Sequence, residues 1–136
     1  MKFDVHKSNS YNDQLNIIQS NYLDLGTHGL KENCRIMKYT DSVYVNAILR
    51  YPKFWNSLRT KTQSLEADKN RIKKYLKNFK KLYPNSQSAN LYLCIGLGNS
   101  GGGKPINKNL VIGFELAFSD STINTSEYQS QKKRLI

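Results

Sequence analysis

Hydrophobic positions in the first half of the chain recur at three- and four-residue intervals, which predicts a series of amphipathic helices. Tyr11, Leu15, Ile18, Tyr22 and Leu25 share one stripe, so a helix is expected from about Tyr11 to Leu25, capped at Asn9-Ser10 and stopped by Gly26. Thr27-His28-Gly29 then reads as a turn, and Leu30 to Tyr39 as a second, weaker helix carried by Leu30, Cys34 and Met37. Asp41 or Ser42 starts a third, through Val45, Ile48 and Leu49. Pro52 ends or redirects it, and the Tyr51-Pro52-Lys53-Phe54-Trp55 junction has proline where a new helix can begin.

The most regular pattern runs from Ser64 to Tyr83. At roughly 100° per residue, Leu65, Ile72, Tyr75, Leu76, Phe79, Leu82 and Tyr83 fill one arc of a helix, and Lys69, Lys73, Lys74, Lys77, Lys80 and Lys81 fill the other. Acids in the first turn and lysines in the last suit the helix dipole, and Pro84 ends the element. The apolar arc is expected to pack as core and the lysine arc to be solvated.

Beyond Pro84 the period shortens. Asn90 to Leu97 and Leu110 to Phe118 are short apolar runs that read as two strands, joined by a loop holding four of the chain's eight glycines. So short a connection predicts antiparallel neighbours, because a parallel return needs a dozen or more residues. The fold expected is therefore α+β, with helices over about residues 1–84, a β-hairpin over 90–118 and an irregular polar tail over 119–136. All of it forms one domain, with no internal repeat.

Two phosphate-binding patterns overlap in the glycine loop, and neither survives its context. Gly96-Leu97-Gly98-Asn99-Ser100-Gly101 fits the dinucleotide fingerprint, with Glu115 downstream in the place of a ribose ligand. That site needs a helix opening at the third glycine, and Gly102-Gly103-Lys104-Pro105 cannot supply one. Gly98 to Lys104 also fits a phosphate loop, but Pro105 stands where the magnesium-binding Ser or Thr belongs. The loop is read as a hairpin connection, with glycines supplying positive φ and Lys104 and Lys108 solvated.

Charge changes the picture in one place. The formal net charge is +11, and residues 51–83 alone carry ten Lys/Arg against two Asp/Glu. Lys73, Lys74, Lys77, Lys80 and Lys81 therefore form a candidate surface for nucleic acid or another anionic partner, with Tyr75, Phe79 and Tyr83 as stacking rings. The competing expectation, that those rings belong to the core, is preferred at this point. His6 and His28 are the only histidines and form no metal motif, and Cys34 and Cys94 lie too far apart in sequence for a CxxC site. No catalytic set of Ser, Cys, His and carboxylate can be assembled. No apolar run reaches transmembrane length and no signal segment follows Met1, so the chain as written is expected in the cytoplasm.

Several strings, in order, resemble a bacterial family described as predicted zinc-dependent proteases, related to a gliding-motility lipoprotein. They are Gln19 to Leu30, then Tyr51-Pro52-Lys53-Phe54-Trp55 with Leu58-Arg59 and Thr62, then Phe79 to Asn85. Ile95-Gly96, Asn99 to Gly102 and Ile112-Gly113-Phe114-Glu115 complete the series. In that family the double glycine is usually followed by Thr, where this chain has Gly103.

The resemblance implies a zincin-like domain whose His-Glu-x-x-His helix would follow the second strand, and the chain reaches Leu135-Ile136 without one. It thus implies the N-terminal scaffold of a zinc peptidase-like protein, catalytically incomplete as given, with zinc a cofactor of an extended parent domain and a peptide its substrate. The parent could belong to the cell envelope or be secreted if its native N-terminus lies further out. By analogy with such folds, Leu110, Val111, Ile112 and Gly113 are expected to form a sheet edge along which substrate aligns, with Gly101 and Gly102 near the cleft rim.

Overall fold

The computed structural model describes residues 5, 8, 10–98 and 103–128. Six α-helices and three short strands follow one another as α1 (Tyr11–Ile18), α2 (His28–Met37), α3 (Asp41–Arg50), α4 (Pro52–Arg59), α5 (Leu65–Leu82), β1 (Leu91–Cys94), β2 (Lys104–Ile106), β3 (Asn109–Gly113) and α6 (Phe114–Ala117). The α+β class expected from the sequence is the one found.

Local chemistry accounts for the helix boundaries. α1 continues as a π-helical turn over Gln19–Leu23, and Gly26 follows in a tight approach, since a Cβ there would lie 2.6 Å from Leu30 Cδ2. Thr27-His28-Gly29 is not a turn before α2. Thr27 is its N-cap, its hydroxyl accepting the N–H of Leu30 at 3.4 Å, so the helix begins two residues before the expected start. Thr40 caps α3 in the same way, accepting from Val43, and Pro52 opens α4 as its first residue.

The expected pairing of the two long apolar runs is corrected. β1 and β3 lie side by side in parallel, with Leu91 opposite Leu110 and Cys94 opposite Gly113. The antiparallel hairpin is made instead by β2 and β3, joined across the two-residue turn Asn107-Lys108, with Asn107 at φ 55°. The strand order is β1-β3-β2, so the glycine-bearing connection crosses from one edge of the sheet to the other. It is a crossover rather than a hairpin loop, and β2 occupies residues that were expected to be loop. The second apolar run is also shorter than expected, because the chain turns at Gly113 into the single helical turn of α6.

Two apolar clusters hold these elements together. Val5, Ile18, Tyr22, Leu30, Tyr44, Val45, Cys94, Ile106 and Val111 join α1 to α3 to one face of the sheet. Phe54, Leu58, Phe114 and Ile123 form a second cluster under α4 and α6, with Trp55, Leu65 and Phe118 packed against it. The segment after α6 is therefore not merely a surface tail over its described part. Ile123 is buried, and Glu127 accepts the N–H groups of Lys53 at 3.1 Å and Phe54 at 3.0 Å, capping the start of α4.

Candidate functional site

α5 is an 18-residue helix, about 27 Å long by its rise per residue. Its first half touches the rest of the protein. Leu65 packs on the second cluster, and Asp68, Arg71 and Ile72 face Leu93, Ile112, Ala117 and Phe118 across an open cavity of about 270 Å³. Arg71 and Asp68 form an ion pair at its mouth.

The second half is exposed, and this corrects the expectation that its apolar arc is core. Tyr75 is 62% exposed, Phe79 52% and Leu82 76%, with Leu76 and Tyr83 also exposed. Helical periodicity establishes which side of a helix is apolar, but burial also needs an opposing surface, and the sheet is too small to provide one past Ile72. Phe79 and Tyr83 pack against each other, with ring centroids 4.9 Å apart, and with Leu82 they border an open concavity of about 370 Å³ closed by the Pro84-Asn85-Ser86 turn.

Charge reinforces this geometry. Lys73, Lys74, Lys77, Lys80 and Lys81 are all exposed on the same helix, and Lys80 donates to the carbonyl of Ser86. From Lys69 to Phe114 the sequence has nine Lys/Arg and no Asp/Glu. No carboxylate in that stretch offsets the field of the lysine face, so it extends into solvent and is screened over about 8 to 10 Å at physiological salt. The five lysines proposed from sequence are thus brought together on one surface, beside an exposed apolar strip.

The other expected site residues fare differently. β3 lies between β1 and β2, so the main-chain groups of Leu110, Val111, Ile112 and Gly113 face strands on both sides and leave no edge for a peptide to join. The sheet edges are β1 and β2 instead, and Pro105, which has no N–H, is suited to its place on the outer strand β2. Gly101 and Gly102, like His6, lie outside the described residues.

Glu115, considered from sequence only as a ribose ligand, has an internal task. Its side chain is 1% exposed, and its two carboxylate oxygens accept the N–H groups of Gly96 at 2.9 Å and Gly98 at 2.8 Å. Leu97, between them, holds φ 54°, a region that branched or bulky residues rarely enter. The carboxylate thus closes on a concave pair of backbone donors.

Beside that joint lies a polar seam in the main core. Tyr22 accepts the N–H of Ile95 at 2.9 Å, while Tyr44 and Tyr39 donate to the carbonyls of Ile95 and Gly96 at 2.9 and 3.0 Å. Burial pushes the phenols of Tyr22 and Tyr44 well above their ordinary range and the Cys94 thiol up to about 12. Cys34 and Cys94 are both free thiols, and burial raises Cys34 as well, so both sulfurs stay protonated at neutral pH.

Among the described residues no three His, Cys, Asp or Glu side chains converge, and Glu115 is engaged by the two glycine N–H groups. No helix among them is long and apolar enough to cross a membrane. Compared with known proteins, the chain matches no family model, no curated protein and no solved structure.

Proposed function

We propose that this chain is a basic binding module that engages an anionic surface through α5. The observation that carries the reading is the exposure of Tyr75, Leu76, Phe79, Leu82 and Tyr83 beside lysines with no offsetting acid. A helix kept only for packing would bury that strip, and a helix kept only for solubility would have no such strip to expose. Lysines supply attraction and orientation at a distance, and the apolar strip supplies the short-range free energy that holds the partner.

The test is retention of the full chain on an immobilised polyanion such as heparin, over a range of salt concentration. Retention that falls steeply with salt, and that Lys73→Glu with Lys77→Glu weakens, supports the reading. Absence of retention at low salt would sink it.

A second reading is favoured by the open cavity between α5 and the Leu93-Ile112 face of the sheet. In it the chain is the N-terminal scaffold of a larger zinc peptidase-like domain, whose remaining elements would seat on that face and on the strip of α5. The substrate edge would then be β1 or β2 and not β3, since only these have a side without a partner strand among the described residues. Metal analysis discriminates the two readings: a longer natural chain that carries a His-Glu-x-x-His helix should hold stoichiometric zinc, and one that holds none would count against the scaffold reading.

A further inference from the structure

We infer that the anionic surface is a lipid bilayer, on which α5 lies in the plane of the interface with Leu76, Phe79 and Leu82 entering the boundary between headgroups and acyl chains. The inference rests on the binding role proposed for α5 and adds its partner.

Three features of the helix select this occupant. The exposed strip combines aliphatic with aromatic side chains, and Leu76 and Leu82 offer nothing to a nucleobase face or edge, whereas a bilayer boundary accepts both kinds. Tyr75 and Tyr83 stand four residues to either side of Phe79 and are exposed, and such amphipathic rings suit headgroup depth. The cations are lysines almost throughout, and from Lys73 to Lys81 there is no arginine. Lysine acts as a compact point charge on a long apolar stem, which suits a diffuse anionic sheet and snorkelling, whereas recognition of individual phosphates and bases favours the arginine fork.

Two copies packed strip to strip would keep their lysine rows on the outer sides, so a second copy is distinguished from a bilayer by sedimentation, as below. The dimensions also agree. An apolar arc of about 120° along the exposed half of α5 matches helices that rest on a bilayer without spanning it.

The experiment is co-sedimentation of the full chain with vesicles of phosphatidylcholine alone and of phosphatidylcholine mixed with phosphatidylserine. Two variants accompany it, Leu76→Ser with Phe79→Ser and Lys73→Glu with Lys77→Glu, and circular dichroism checks that both fold, as expected for exposed positions. The inference predicts partitioning at least about tenfold stronger onto the phosphatidylserine vesicles, and a loss of about tenfold or more in each variant.

Equal binding to both vesicle types would overturn it. So would full retention by the Leu76/Phe79 variant, which would mean adsorption by charge without insertion. Tighter binding to single-stranded DNA than to vesicles, lost in the lysine variant, would overturn the lipid assignment and leave the binding module standing. A dimer in sedimentation that the Leu76/Phe79 variant abolishes would assign the strip to a second copy and overturn the inference. Failure on both vesicles and heparin would overturn the inference and the proposed function together.

Discussion

The carboxylate of Glu115, one residue into α6, accepts the N–H of Gly96 at 2.9 Å and so ties the chain leaving β1 to the chain leaving β3. The parallel pairing of β1 with β3 brings both strand ends to one side of the sheet, where a side chain from one can hold the backbone of the other. Glu115→Ala leaves the N–H groups of Gly96 and Gly98 without their acceptor, at a cost of about 2 to 4 kcal/mol. Glu115→Gln turns an amide N–H₂ toward one of the two donors and is expected to cost less than alanine but still more than about 1 kcal/mol. Urea unfolding measures both, and a glutamine variant as stable as the parent would show that the carboxylate is not what closes this joint.

Burial of protonated groups sets the alkaline limit. Cys94, with an ordinary value of 9.0, is pushed up to about 12 by burial and then by the charge of Glu115, and Tyr22 is raised above its ordinary 10.0 mainly by burial. Between the unfolded and folded values the native state binds more protons than the unfolded chain, so stability must fall as pH rises. It is expected to be constant near neutrality and to decline above about pH 9, with a shallower slope in Cys94→Ala. Denaturant midpoints that stay level to about pH 11 would contradict this.

Glu127 caps α4 from far along the chain, accepting from Lys53 and Phe54. Glu127→Ala should destabilise the protein by about 1 kcal/mol, within the range for loss of a helix cap. Glu127→Gln keeps an acceptor but loses the charge and should fall between. Thermal unfolding reads the order of the three proteins, and an unchanged midpoint in the alanine variant would remove Glu127 from the account of α4.

Gly29, in the first turn of α2, packs directly on Tyr92 of β1. A Cβ there would lie 2.2 Å from the Tyr92 ring. Gly29→Ala gains helix propensity but forces the ring or the helix to move, and a net loss of about 1 to 3 kcal/mol is expected. A stabilised alanine variant would mean that Tyr92 can swing aside freely.

What could be read from the sequence divides along the range of the interactions. α5 ends at Leu82, just before the expected Tyr83, and α4 opens at Pro52, because acids, lysines and prolines near a helix end act on their own turn. Thr27 was also legible as a cap, but Gly29 two residues on suggested a turn instead. The sheet order was not legible, because the partner of β1 depends on whether three residues, Lys104-Pro105-Ile106, form a strand beyond β3. Asn107 was the local sign of the tighter hairpin, being tolerant of positive φ at a two-residue turn. The tasks of Glu115 and Glu127 are contacts across the fold with no local signature. Lysines 73 to 81 were legible as one face, while the fate of the opposite arc depended on whether another element covers it.

The account turns on that arc being a surface and not a core, and the unfolding free energy of Phe79→Ala decides it most directly. Phe79 is half exposed at rest, so the account predicts a stability within about 0.5 kcal/mol of the parent in urea unfolding, as for other exposed positions. A loss of about 3 to 5 kcal/mol, the cost of emptying a phenylalanine site in a packed interior, would mean that the arc of α5 is buried in the folded protein and would contradict the binding role assigned to it.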